Sequence, residues 1–511
     1  MGTKTAPMIP RQSSNGAWCG PVLRATRQFK LSLEAALLGA LLVQWVPAAS
    51  RSPVTRSRPN IILILADDLG YGDLSCYGNP KVSTPRIDSL ARDGIRFTDA
   101  HTTSGLCTPS RYSLLTGRYC WRTFLKKNVV ANGPALIEPG RTTVASVFKE
   151  RGYQTAILGK WHLGFTAGKD VDYNAQPVTP GANEVGFTHS FLLPVGHFFP
   201  PYIYLENGRV VNYDASDPIA IVGSQQKGGK SYSYDPHQVT PELVRHSLAY
   251  IEENKARPFF LFLSTPSVHD PLTPSATFSG HPVGAYGDYI QEMDWAVGQI
   301  LDKLNALNLE NNSLVLFTSD NGASEPNSRA VKDHYRPSGP LRGDKGDLYE
   351  GGHRMPFLVR WPGQAPAGVV SDEFVIFSDL VRTFARLLEQ PLRSDEGPDG
   401  HDVLDAFRGG RNLHPGRAMV IHSRQGMYGL RQDDWMYLHG AGDGDERKAR
   451  YAPPSETIAD AQLYNLREDL RQERNCAAQY PERVAQMRQR LAEIVAADET
   501  VAGAGMSGAK R

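Results

Sequence analysis

The chain has 511 residues, 41% of them hydrophobic and 21% charged, and a net charge of +1. That composition belongs to a soluble globular protein. It excludes disordered, fibrous and membrane-embedded chains, and no basic block is large enough to track a nucleic-acid backbone. The length exceeds what one hydrophobic core usually fills, so one large domain and one smaller domain are expected.

Residues 1–30 carry several Arg and Lys and no acid, Leu31 to Val46 is mostly apolar, and Pro47-Ala48-Ala49-Ser50 supplies small residues suited to cleavage. The pattern predicts a signal peptide over residues 1–50 and export to a periplasmic, secreted or lysosome-like compartment. Glu34 and Gln44 interrupt an apolar run already short of about 20 residues, so no stable membrane span is expected in the mature protein.

Asn60 to Ala66 is apolar without alternation, as in a strand buried on both faces of a parallel sheet, and it ends at Asp67-Asp68. In Cys107-Thr108-Pro109-Ser110-Arg111, proline followed by serine reads as a helix start, and a helix N-terminus favours an anion. Thr142 to Arg151 is helix-like. The strand-like Thr155 to Leu158 leads into Gly159-Lys160-Trp161-His162-Leu163-Gly164, where Lys160 and His162 share one side of an extended backbone. Pro241 to Asn254 and Asp288 to Leu304 are helix-like; Phe259 to Leu263 leads toward His269, and Leu314 to Thr318 leads into Asp320-Asn321.

This alternation predicts an α/β domain over residues 58–386, a large, mixed, mainly parallel sheet sandwiched by helices. Ligands of such sheets bind outside the C-terminal strand ends, where the polar residues lie. From Leu387 the pattern changes to short strand-like pieces, Ala418 to His422 and Met427 to Arg431. A helix from Pro481 to Val495 follows, with Val484, Met487 and Leu491 at helical spacing. These predict a smaller α+β domain over 387–495, with a small antiparallel sheet and a helix, and a flexible tail over 496–511.

Asp67, Asp68, Asp320 and Asn321 are hard oxygen donors that together suit Ca²⁺, or less well Mg²⁺, rather than zinc. Taken alone, Asp-Asp after a strand is more often a loop start or helix cap, and a lone Lys or His a solvated loop residue. Taken with the segments Cys107 to Arg118, Gly159 to Gly164, His269-Asp270-Pro271, Leu341-Arg342-Gly343-Asp344-Lys345 and Tyr349 to Pro356, they resemble the signatures of the type I sulfatases. The resemblance runs from about Arg58 to Gly363, and more loosely through Leu463-Tyr464-Asn465-Leu466.

It implies an alkaline-phosphatase-like fold and an arylsulfatase-like sulfuric ester hydrolase acting on a sulfated small molecule or, more specifically, a sulfated carbohydrate. It further implies that a formylglycine-generating maturase oxidises Cys107 to formylglycine. Sulfate esters repel nucleophiles, and a hydrated aldehyde can attack sulfur with one hydroxyl and regenerate its carbonyl through the other. By the same resemblance Asp67, Asp68, Asp320 and Asn321 hold the metal with modified Cys107. Arg111 steadies the hydrate, Asp320 helps draw off its proton, Lys160 and Lys345 grip the sulfate, His269 protonates the departing alcohol, and His162 takes the proton that triggers elimination.

With Cys19 removed and Cys107 modified, Cys76, Cys120 and Cys476 remain, which allows one disulfide at most. No Cys-x-x-Cys spacing is present, so the fold must rest on its core. Two positions depart from the family pattern. Gly196-His197 stands where relatives usually carry a serine near the sulfate, so His197 is a candidate substrate contact, and Trp435-Met436 replaces a common tryptophan-lysine pair. The rival readings are a phosphatase or phosphonate hydrolase of the same fold, and a silent sulfated-glycan-binding protein with unmodified Cys107.

Overall fold

Three strands fully covered on both faces, Asn60–Ala66, Phe259–Ser264 and Ser313–Ser319, lie in the middle of a ten-stranded sheet in the computed structural model, which describes residues 58–126, 132–166, 171–324, 335–412, 414–440 and 461–497. The expected signal peptide, Cys19 and all but the first two residues of the expected tail lie outside these segments. Strand Asn60–Ala66 pairs in parallel with Phe259–Ser264 on one side and Ser313–Ser319 on the other, with Ile61 opposite both Phe260 and Leu314. Gln154–Lys160 and His189–Leu193 continue the sheet in parallel beyond Phe259–Ser264. Beyond Ser313–Ser319 the direction reverses at Phe357–Arg360, so the sheet is mixed but mainly parallel.

The unbroken apolar run of the first strand serves two cores. Ile61, Leu63 and Leu65 face a layer containing Phe148, Tyr112 and Phe384, on helices Val144–Glu150, Cys107–Thr116 and Asp379–Leu387. Ile62, Ile64 and Ala66 face the opposite layer, where Leu243, Tyr286, Met293 and Val297 come from helices Val239–Asn254 and Ala285–Ala306. Because side chains alternate along a strand, a strand buried on both sides must be apolar throughout. Thr143 starts its helix by accepting the Ser146 amide while the Ser146 hydroxyl accepts the Thr143 amide, a reciprocal cap.

Ala418–His422, Tyr428–Gln432, Trp435–Leu438 and Gln462–Asn465 build a four-stranded antiparallel sheet. Helix Pro481–Ala496 lays Val484, Met487, Leu491 and Ile494 on one face of it. Ala496, expected in the tail, closes that helix. Met436 is fully buried on the other face beside Leu348 and Tyr349, while Trp435 lies under Arg483. The four described cysteines, Cys76, Cys107, Cys120 and Cys476, are all free.

Candidate active site

Each of the central strands delivers its polar residues to the same edge of the sheet. Asp67 and Asp68 follow Asn60–Ala66 directly, and Asp320 and Asn321 follow Ser313–Ser319, which lies alongside in register. The Asp320 amide bonds to the Ala66 carbonyl and the Asp68 amide to Asp320 Oδ1, at 3.1 and 3.2 Å. Lys160 ends its own strand. The preceding Gly159 has φ +111, and a Cβ there would meet the Ser264 carbonyl oxygen at 2.0 Å, so only glycine lets the two strands pass.

Cys107 is the first residue of a helix whose ten residues are all buried. Its end therefore brings the positive end of the helix dipole to the crevice. Ligand atoms of Asp67, Cys107 and Asp320 lie within 4.8 Å of one another, as do those of Asp67, Asp68 and His269. The residues from five separate segments thus meet around Asp67.

Three cations are threaded through these acids. Arg111 donates to Asp320 Oδ2 from Nε at 2.9 Å, with Nη2 ion-paired to the same oxygen at 2.8 Å, and donates to Ser264 Oγ from Nη1 at 2.5 Å. Lys160 Nζ sits 2.5 Å from Asp67 Oδ2, and Lys345 Nζ lies 2.6 Å from Asp68 Oδ1. Asn321 donates to Asp68 Oδ1 at 2.7 Å. Burial alone would raise the Asp68 carboxyl, but His269, Lys345 and Lys160 together hold it well below its ordinary range. Burial and the neighbouring Asp67 raise the Asp320 carboxyl, against Arg111 and Lys160. Against the penalty of burial, Asp68 keeps Lys345 charged and Asp320 does the same for Arg111. Burial pushes the Cys107 thiol up, so an unmodified cysteine here is a neutral thiol and a poor nucleophile.

Both histidines of the crevice are held neutral. Burial, followed by the charges of Lys160, Arg111 and Lys345, drives His162 well below its ordinary value. Among the described residues, neither of its ring nitrogens has a hydrogen-bond partner. Burial lowers His269 to about 3, with Asp68 pulling the other way. His269 Nδ1 donates to the Asp270 carbonyl at 2.5 Å, which leaves Nε2 facing Asp68 Oδ2 at 3.6 Å. Asp68 and His162 have φ of 60° and 58°, a left-handed conformation that costs a residue with a Cβ and recurs at functional positions.

The donor set suits a hard divalent cation. Asp67 Oδ1 and Asn321 Oδ1 are buried oxygens without a hydrogen bond, which is costly unless something positive sits against them. Carboxylates and an amide oxygen match Ca²⁺ or Mg²⁺ chemistry, not zinc.

Ten of the eleven candidate residues therefore meet in this crevice: Asp67, Asp68, Cys107, Arg111, Lys160, His162, His269, Asp320, Asn321 and Lys345. His197 lies beside these residues, near enough for the charges of His269 and Lys160 to add to burial in lowering its imidazole. It is buried, and its Nε2 shares a hydrogen bond of 2.9 Å with the Tyr289 hydroxyl on helix Ala285–Ala306. Two participants were absent from the sequence reading. Ser264 anchors Arg111 and also donates to the Lys160 carbonyl at 2.7 Å; its signal is a polar residue closing the otherwise apolar strand Phe259–Ser264. Phe198 lies over Lys160 and His269 and has no signal in local sequence.

A mixed sheet with acids, cations and a helix-starting cysteine at its strand ends places the chain among hydrolases of the alkaline-phosphatase-like superfamily. A family model described as Sulfatase matches residues 59–390. The chain is 33% identical to an N-acetylgalactosamine-6-O-sulfatase of Bacteroides thetaiotaomicron over 86% of its own length and 93% of the relative's. It is 34% identical to human steryl-sulfatase, over 69% and 70% respectively. A solved structure from work on the metabolism of multiple glycosaminoglycans by Bacteroides thetaiotaomicron superimposes with a TM-score of 0.78 at 33% identity, covering 86% of this chain and 99% of that one. The chain belongs to the sulfatase family and is a sulfuric ester hydrolase.

Proposed function

We propose that this enzyme is exported, that Cys107 is matured to formylglycine, and that it removes sulfate from a sulfated carbohydrate with the help of one Ca²⁺. The observation that carries the reading is the meeting of Cys107, at a helix start, with the carboxylates of Asp67 and Asp320 within 4.8 Å. The relatives' names, an N-acetylgalactosamine 6-O-sulfatase among them, favour a sugar as the alcohol.

When present, a hydrated formylglycine at position 107 supplies the hydroxyl that attacks sulfur, and a calcium ion held by Asp67, Asp68, Asp320 and Asn321 supplies positive charge beside it. The remaining work belongs to side chains already in place. Arg111, pinned by Asp320 and Ser264, holds a fixed positive charge beside residue 107. Lys160 and Lys345 present ammonium groups to the sulfate oxygens, where charge shifts as the S–O ester bond breaks. With the Nδ1 proton donated to the Asp270 carbonyl, His269 Nε2 is the nitrogen left to serve the leaving oxygen; it first takes up a proton, which the anionic sulfate ester bound beside it favours, and hands that proton to the oxygen as the bond breaks. His162, without a hydrogen-bond partner at either nitrogen, is the base that takes the proton for sulfate release.

Two measurements on protein from a host that has the maturase test this. Mass spectrometry of the peptide spanning Cys107 must find the thiol converted to an aldehyde. Turnover of a hexosamine 6-sulfate and of 4-nitrophenyl sulfate must exceed that of 4-nitrophenyl phosphate by at least about a hundredfold, a difference near 2.7 kcal/mol. Unconverted thiol in active enzyme, or preference for phosphate, would overturn the reading.

A further inference from the structure

We propose that Phe198 is a specificity-determining residue, an aromatic wall on which the alcohol half of the ester rests, selecting alcohols that carry a ring with an apolar face. This rests on the reading of the crevice given above and extends it to the part of the substrate beyond the sulfate.

Most large hydrophobic side chains of the described residues are buried, whereas Phe198 leaves 36% of its surface exposed. Its ring contacts three polar groups of the crevice. It stacks on the His269 imidazole with centroids 4.5 Å apart and planes 20° from parallel. Lys160 Nζ lies 5.2 Å from its centroid, and His162 meets it edge-on at 5.7 Å. A phenylalanine needed only for packing would have turned inward; this one places one face against the proposed acid and sulfate-binding ammonium and keeps part of its surface open.

The loop that carries it is tied down from behind. Gly196, at φ +119, runs along the Lys160 side chain, and a Cβ there would come within 3.4 Å of Lys160 Cδ. The Tyr234 hydroxyl donates to the Gly196 carbonyl at 2.9 Å, and His197 is fastened to Tyr289. Through Nε2, His197 thereby acts as a positioning residue for Phe198. An aromatic surface held in advance of binding loses little freedom when a ligand covers it.

Geometry dictates what suits this wall. The alcohol oxygen must reach His269 Nε2, and His269 is already covered on one face by Phe198, so a ring attached to that oxygen lies alongside Phe198. Stacking of a flat or CH-rich ring on an aromatic face contributes more than area burial alone. Sugars and aromatic rings share this property, and separate assay arms distinguish them.

The test uses the mature full-length enzyme and its Phe198→Ala and Phe198→Tyr variants. Steady-state kinetics on a hexosamine 6-sulfate and on 4-nitrophenyl sulfate are compared with inhibition by inorganic sulfate, which has no alcohol half. Phe198→Ala is expected to lower kcat/KM by about tenfold, mainly through KM, on whichever ring fits the site. Its Ki for inorganic sulfate should stay within about twofold, and Phe198→Tyr should restore kcat/KM. The larger loss identifies sugar or arene as the fitted ring. Parallel deterioration of kcat/KM and sulfate Ki would mean that Phe198 merely holds Lys160 and His269 in shape; that result, or unchanged kinetics on both esters, overturns the proposal. A mature wild type that binds inorganic sulfate yet cleaves neither ester overturns instead the reading of the crevice on which the proposal stands.

Discussion

Among the clusters of buried charge in the described residues, two are built to opposite rules. In the crevice, Asp67, Asp68 and Asp320 face Arg111, Lys160 and Lys345, yet Asp67 Oδ1, Asn321 Oδ1 and both nitrogens of His162 make no hydrogen bond. Beneath the antiparallel sheet, Asp99 is gripped by Arg431 at 2.5 and 2.7 Å and by Arg354 at 2.9 Å. Arg354 also holds Glu350 at 2.5 Å, and His101 and His353 meet through their Nδ1 atoms at 3.0 Å. There, two carboxylates are matched by two guanidinium groups, and of the carboxylate oxygens only Glu350 Oε1 lacks a hydrogen bond. Although burial works the other way, Arg354 and Arg431 hold the Asp99 carboxyl well below its ordinary range. Burial and ion pairing are common to both clusters. The difference is that the crevice leaves groups unsatisfied on the side where a substrate arrives, which is costly for folding and useful for chemistry.

If that contrast is real, substitutions in the two clusters must separate activity from stability. Cys107→Ala should reduce kcat/KM for 4-nitrophenyl sulfate by more than about 10⁴-fold while leaving the denaturation midpoint almost unmoved, since it removes one small buried group. Arg431→Ala should do the reverse. Stripping one partner from a buried pair leaves Asp99 uncompensated and costs about 3–5 kcal/mol by urea denaturation, with kcat/KM of the folded fraction within about threefold of wild type. A stable Arg431→Ala enzyme with collapsed turnover would erase the distinction. Calcium sharpens it further. At about 100 times its dissociation constant, Ca²⁺ should stabilise the metal-free wild type by about 2.7 kcal/mol in thermal melts, and Asp67→Asn should abolish the gain without altering the Arg431 pairing.

How far the contrast was legible beforehand differs between the clusters for physical reasons. Asp67-Asp68 and Asp320-Asn321 stood out because each pair closes a run of residues too apolar to face water, and in a parallel sheet such runs end at one edge. Lys160 and His162 were legible in the same way. His269 and Lys345 lie on loops with no periodicity of their own; the strand Phe259–Ser264 pointed toward His269, and family resemblance drew in Lys345. Phe198 was invisible: it sits in an irregular, proline-rich loop, and its meaning comes from His269 and Lys160, which are far from it in sequence. The second cluster was equally hidden, because Asp99, Glu350 and Arg431 come from three distant segments and charged residues read as surface until their partners are known. His197 shows the converse limit. It stands where relatives usually carry a serine near the sulfate; Nε2 of its ring is bonded to Tyr289, while its buried Nδ1 has no hydrogen-bond partner among the described residues.

Glu292 tests whether an unsatisfied buried atom alone is enough to mark chemistry. It is fully buried on helix Ala285–Ala306, accepts only the Ser275 amide at 3.2 Å, and leaves Oε1 without a hydrogen bond. Burial raises its carboxyl to about 7, against weaker opposing effects of Ser275 and His237. No convergent acid or ammonium of the crevice contacts it, so the contrast assigns it a cost in stability and no part in turnover. A carboxyl whose folded-state value is raised binds its proton more tightly in the native state. Its favourable contribution is complete below the ordinary 4.5 and is lost as pH rises through about 7. Glu292→Gln removes that titration. Measured against wild type in urea, the variant should therefore gain relative stability between pH 4 and pH 8 by an amount on the order of 3 kcal/mol, with kcat/KM for 4-nitrophenyl sulfate unchanged. Identical pH profiles for the two proteins would show the carboxyl to be unperturbed. A large loss of turnover would place Glu292 within the catalytic apparatus, and isolated orphan atoms would then carry functional meaning without the surrounding charges.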